Sequence, residues 1–129
     1  MTDPIIDRLD QIRDRADKAT EGPWEAEYSA EQGNCVLPPG YQSTREAVAV
    51  TRLWLQIRDA EFIAAARTDV PALVDALTRV LERCDRAISF PIPDGEMRQA
   101  CIAMRETAEI IRDEIAVALG VETEGENDE

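Results

Sequence analysis

Residues 70–89 read VPALVDALTRVLERCDRAIS, residues 90–96 read FPIPDGE, and residues 97–119 read MRQACIAMRETAEIIRDEIAVAL. In the first segment Leu73, Leu77, Val80, Cys84 and Ala87 recur at steps of 4, 3, 4 and 3. In the last, Met97, Cys101, Met104, Ala108, Ile111 and Ile115 repeat the same alternation. That is the a/d spacing of two packed helices. The segment between them cannot continue a helix, because proline lacks the amide donor and clashes with the preceding turn. Folding back at this break predicts an antiparallel helical hairpin over 70–119. The pairs Ala87/Met97, Cys84/Cys101, Val80/Met104, Leu77/Ala108 and Leu73/Ile111 keep a residue-number sum of 184 or 185. A second stripe, Val74, Leu81 and Ile88 with Ala103, Ile110 and Val117, needs cover from the rest of the chain or from another copy. The length of the last helix favours a homodimer through the hairpin helices.

Upstream, Ile5, Leu9, Ile12, Ala16 and Ala19 form one apolar stripe among charged residues, which predicts a helix over Pro4–Ala19. Asp3 can accept from the free amides of its first turn, and Pro4 sits where a missing amide costs nothing. Gly22-Pro23 ends it. The period then changes to two: Trp24, Ala26, Tyr28 and Ala30 alternate with Glu25, Glu27, Ser29 and Glu31, which reads as a strand with one buried face. Gln32-Gly33-Asn34 reads as a turn, Cys35–Leu37 as a short second strand, Pro38–Thr44 as a polar loop, and Ala47–Thr51 as a third, central strand. Asp59 caps a helix to Arg67, and Thr68 or Asp69 caps the next, with Pro71 in its first turn. The fold class is therefore α+β: a small antiparallel sheet of two or three strands packed on helices, with the long C-terminal hairpin. Residues 1–120 form one domain and 121–129 a disordered acidic tail.

The chain of 129 residues carries 14 Lys and Arg against 27 Asp and Glu, a net charge of −13. Nucleic-acid backbone binding is excluded by that balance, since such binders neutralise phosphates with basic residues. The same charge steers basic partners towards the chain. With no histidine, His-based triads, His general bases and His-containing zinc sites are excluded. Cys35, Cys84 and Cys101 form no CxxC pair and read as small core residues in a reducing compartment. No apolar run approaches the ~20 residues of a membrane span, and Met1–Pro4 lacks a signal-peptide pattern, so the expected location is the cytosol.

No Gly-rich phosphate loop, nucleophile elbow or metal-ligand spacing occurs. Glu106, Glu109 and Asp113 have the helical spacing a di-metal carboxylate site would use, but read as a solvated face. No catalytic residue, metal site or cofactor is expected. The candidate ligand- or partner-binding residues are Trp24, Arg45, Arg52, Trp54, Arg58 and Arg67, because arginine beside aromatic residues is the composition of binding hot spots and stacking sites. For Trp24 the ordinary reading is an anchor of the strand, and for Arg67 a C-terminal arginine meeting the next cap.

Lys18-Ala19-Thr20-Glu21-Gly22-Pro23-Trp24-Glu25, followed by Asp59-Ala60-Glu61-Phe62-Ile63-Ala64-Ala65-Ala66-Arg67-Thr68-Asp69-Val70-Pro71-Ala72-Leu73, resembles the Ead-like family of small accessory proteins of tailed bacteriophages. The resemblance covers roughly residues 5–88. Glu21 stands where a proline commonly precedes Gly-Pro-Trp, and the C-terminal helix and tail are additions. The resemblance implies a phage-encoded accessory protein without catalytic activity. The expected function is binding and modulating a host protein in the bacterial cytosol, with an acidic decoy of DNA as one form of it. The alternative is a dimeric sponge for a nucleotide signal used in antiviral defence.

Overall fold

The computed structural model describes residues 3–51 and 57–122. The element order is α1 (Pro4–Lys18), β1 (Glu25–Ser29), β2 (Gly33–Leu37), a 3-10 turn (Thr44–Glu46), β3 (Ala49–Thr51), α2 (Ile57–Ser89) and α3 (Arg98–Ala118). The fold is α+β, with one three-stranded antiparallel sheet and three α-helices, the last of them long. Contacts divide the chain into two compact units, 12–74 and a second formed by 1–11 with 75–129.

In the first unit the strand order is β1-β2-β3, both pairs antiparallel. The central strand is β2, not β3 as the apolar run at 47–51 suggested. All five β2 residues are buried, whereas β3 lies at the edge with Val50 51% exposed. The β1–β2 connection is Ala30–Gln32, and Gly33 opens β2 with φ of 87°, a conformation open to glycine at no steric cost. Ser29 Oγ accepts from the amides of Glu31 and Gln32, both at 3.2 Å. Val36 with Ala60 and Ala64 of α2 forms the core, with Trp24, Ala26, Ala49 and Ile63 packed around it. Tyr28, expected on the buried face, is 53% exposed.

The first helix starts as its sequence requires. Asp3 Oδ1 accepts from the Ile5 amide at 3.0 Å, and Ile5 and Leu9 are buried. The second differs from expectation: one helix of 33 residues runs through Pro71, with no break at Thr68 or Asp69. Such a proline removes one backbone hydrogen bond at a cost of about 3 kcal/mol, which the rest of the fold must offset.

In the second unit the buried α2 residues are Leu81 and Cys84, and in α3 they are Ala108 and Ala116. The expected zip is only partly the buried line: its Cys84 and Ala108 are buried and its Leu77, Ala87, Cys101 and Ile115 half-buried. Val80, Met97, Met104 and Ile111 are exposed, at 42%, 62%, 45% and 39%, and Leu73 of the first unit is 62% exposed. Leu81, assigned to the secondary stripe, is fully buried instead, while its expected α3 counterparts Ile110 and Val117 are 60% and 74% exposed. Covered residues of α3 and its C-cap follow Cys101, Arg105, Ala108, Arg112, Ile115 and Leu119, a helical line that includes two arginines. Their charge hid that line from a purely apolar reading.

Candidate functional site

The segment after α1 turns at Gly22-Pro23, whose peptide bond is cis, and delivers Trp24 beside α2. Trp24 Nε1 donates to the Thr20 carbonyl at 3.1 Å, and Arg67 Nε donates to the same oxygen at 3.0 Å. The Arg67 guanidinium carbon lies 5.9 Å from the Trp24 ring centroid, within cation–π range. A Cβ on Gly22 would stand 2.8 Å from Arg67 Cγ, so glycine is what lets the arginine pass. Two expected site residues are thus brought together, and their polar hydrogens hold the turn to the helix. The arrangement is a clasp; Gly22 and Thr20 complete it.

The other expected residues do not join them. Arg45 pairs with Glu31 at 2.9 Å, and Arg58 with Glu61 at 3.5 Å along α2; both arginine side chains are largely exposed. Arg52 and Trp54 lie outside the described residues. The loop carrying Arg45 is more organised than its polar composition suggests. Ser43 Oγ accepts from the Arg45 amide, while Glu46 accepts from the Gln42 and Ser43 amides at 2.7 and 2.9 Å. Those two amides hold the Glu46 carboxyl below its usual range. Tyr41 donates to Glu27 at 2.6 Å, which raises the phenol pKa by favouring its protonated form. Loop and strand therefore satisfy each other's charges.

The second unit contains groups that the sequence did not single out. Arg112 donates through Nη2 to Asp3 at 2.6 Å and through Nη1 to Asp85, with its side chain only 20% exposed. Asp3 both caps α1 and pairs with Arg112. Burial alone would raise its pKa, but hydrogen bonds from Arg112 and the Ile5 amide outweigh that and hold the carboxyl below its ordinary value. Asp3, and with it Asp85, raises the Arg112 pKa against the opposing effect of burial. Arg105 donates to the Phe90 carbonyl at 2.8 Å. The seven-residue interval between Arg105 and Arg112, in step with Cys101, Ala108 and Ile115, is the sequence signal that marks them as inward-facing.

Beside this cluster an open groove of about 390 Å³ runs between the two helices, lined by Ala87, Met104, Ala108 and Ile111 among others, with Arg83 at its lip. It is predominantly apolar.

The Cys35 thiol is buried, and burial, together with the Glu27 charge, pushes its pKa up and makes it a poor nucleophile. All three cysteines are free. Among the described residues no group of three His, Cys, Asp or Glu side chains is gathered to hold a metal, and no helix is long and apolar enough to cross a membrane. Comparison of the chain with family models, curated proteins and solved structures gives no match.

Proposed function

We propose that the chain is a phage-encoded accessory protein that acts in the host cytosol without chemistry of its own, by covering a basic surface of a host protein. The observation that carries this is the carboxylate row Glu106, Glu109 and Asp113. All three are exposed on one side of α3 and make no ion pair among the described residues. With a net charge of −13, that row gives the chain a long-range attraction for cationic partners. In this function α3 and the second half of α2 act as an antiparallel pair, the rigid support on which the row is displayed. The contacts of Arg112 with Asp85 and of Arg105 with Phe90 favour that arrangement. The alternative, a nucleotide sponge using Trp24, Trp54, Arg52 and Arg67, is less favoured because Trp24 and Arg67 already serve the Thr20 carbonyl.

The test is capture of host proteins on the immobilised chain at 0.05 and 0.5 M salt, beside the variant Glu106→Gln/Glu109→Gln/Asp113→Asn. A basic host protein should be retained at low salt, released at high salt, and lost by the variant, because screening shortens the reach of exposed charges. Retention indifferent to both salt and variant refutes the proposal.

A further inference from the structure

The groove and the uncovered side of α3 form one continuous surface by helical periodicity. Met104, Thr107, Ile111, Glu114 and Ala118 follow one another at steps of 3 and 4 on α3, and Ala76, Val80, Arg83 and Ala87 do so on α2. Met104, Ile111 and Val80 are exposed, and Ile110 and Val117 widen the apolar area on α3. Each of the two lines contains a single charged residue. On α2 it is Arg83 and on α3 it is Glu114, both exposed and neither in an ion pair among the described residues.

We propose that this surface is the interface with a second copy of the chain, paired about a two-fold axis so that α2 of each copy lies on α3 of the other. A two-fold contact must be complementary to itself: if one residue meets another across it, the reverse contact also forms. Two lines that carry one charge each, opposite in sign and placed on different helices, meet that condition, with Arg83 of each copy facing Glu114 of its partner. Met104 and Ile111 of one copy then fill the space beside Ala76 and Ala87 of the other. Two chains of charge −13 repel, and these two lines, with one charge of each sign, are where they can approach. The pairing stands apart from the host-protein proposal, since it involves the purified chain alone.

The experiment is solution mass by light scattering on the full chain, on Arg83→Glu, on Glu114→Arg, and on an equimolar mixture of the two variants. The wild type should have twice the chain mass, and each variant should fall towards the monomer, with association weakened at least tenfold. Mixing should restore the doubled mass, because in the mixed pair both contacts again join opposite charges. Both positions are exposed, so helicity by circular dichroism should match wild type. Ile111→Arg, which places a charge in the groove wall without affecting the Arg83–Glu114 match, should be monomeric alone and in either mixture. A monomeric wild type overturns the proposal. So does a dimer that none of the variants disturbs, or variants that dissociate and fail to recombine on mixing.

Discussion

The two units of the chain hold their arginines differently, while both leave apolar residues outside. In residues 12–74 Arg67 pins the turn at Thr20, and the largely exposed Arg45 ties its loop to Glu31. The apolar residues there centre on Val36, Ala60 and Ala64, with Phe62 and Leu73 left outside at 75% and 62% exposure. In the unit built from 1–11 and 75–122, Arg112 is mostly covered and holds Asp3 and Asp85, while Met104, Ile110, Ile111 and Val117 are left outside. A residue type is therefore a poor guide to its place here. What decides is whether its neighbours supply a partner: a carboxylate for the guanidinium, or an apolar surface for the methyl groups.

The comparison can be broken most strongly in the two cores. Leu37→Ala in the sheet and Leu81→Ala in α2 each remove a fully buried side chain, and each should cost about 3 kcal/mol. Both tryptophans lie in the sheet-bearing unit, so denaturation followed by tryptophan fluorescence reports on that unit directly. Leu37→Ala should shift the fluorescence midpoint at least as far as the helical signal in circular dichroism.

Arg112→Met should come next, at about 2 kcal/mol, because two carboxylates lose a charged hydrogen-bond partner in a partly covered site. The loss should be smaller when Asp3→Asn and Asp85→Asn are also present, as a multiple-mutant cycle in urea would show. Equal losses in both backgrounds would mean the guanidinium acts by packing alone.

A pH titration sharpens the same point. The folded Asp3 carboxyl titrates below its unfolded value, so over the intervening range the unfolded state binds more protons. Its stabilisation is complete above the ordinary carboxylate value, about pH 4, and is lost as pH falls through the folded pKa. Asp3→Asn keeps a capping oxygen but not the charge, so its stability should fall less steeply below pH 4 than that of wild type.

On the other side of the comparison, Arg67→Met should cost about 1 kcal/mol by losing the Thr20 hydrogen bond and the contact with Trp24. Tryptophan fluorescence should change in the folded protein as well. The smallest effect belongs to Arg45→Ala, expected within about 0.5 kcal/mol because its ion pair with Glu31 is well exposed.

Much of the local structure was legible in the sequence. The cap at Asp3, Pro4 at the start of α1, the stop at Gly22-Pro23 and the change to a period of two after Trp24 each depend on residues close to one another. Pro71 misled because proline disfavours a helix interior by its own geometry, yet α2 runs through it. The centre of the sheet was misassigned because β3 has the more apolar sequence; the strand with a neighbour on each side is β2, which includes Asn34.

The candidate site shows the same division. Arginine near tryptophan was visible as composition, but the Thr20 carbonyl that both Trp24 and Arg67 address lies 47 residues before Arg67. Arg112 was invisible as a buried residue because the partner that makes its burial tolerable, Asp3, lies 109 residues away.

The sequence by itself determined the start of α1, its stop before Gly22-Pro23, the places of the three strands and the charge of their faces, since capping, turn chemistry and periodicity act over a few residues. Only the tertiary structure decided which stripe of each helix is covered and which arginines turn inward. Burial depends on partners distant in sequence, and a helix with two apolar stripes does not say which one its own chain will cover.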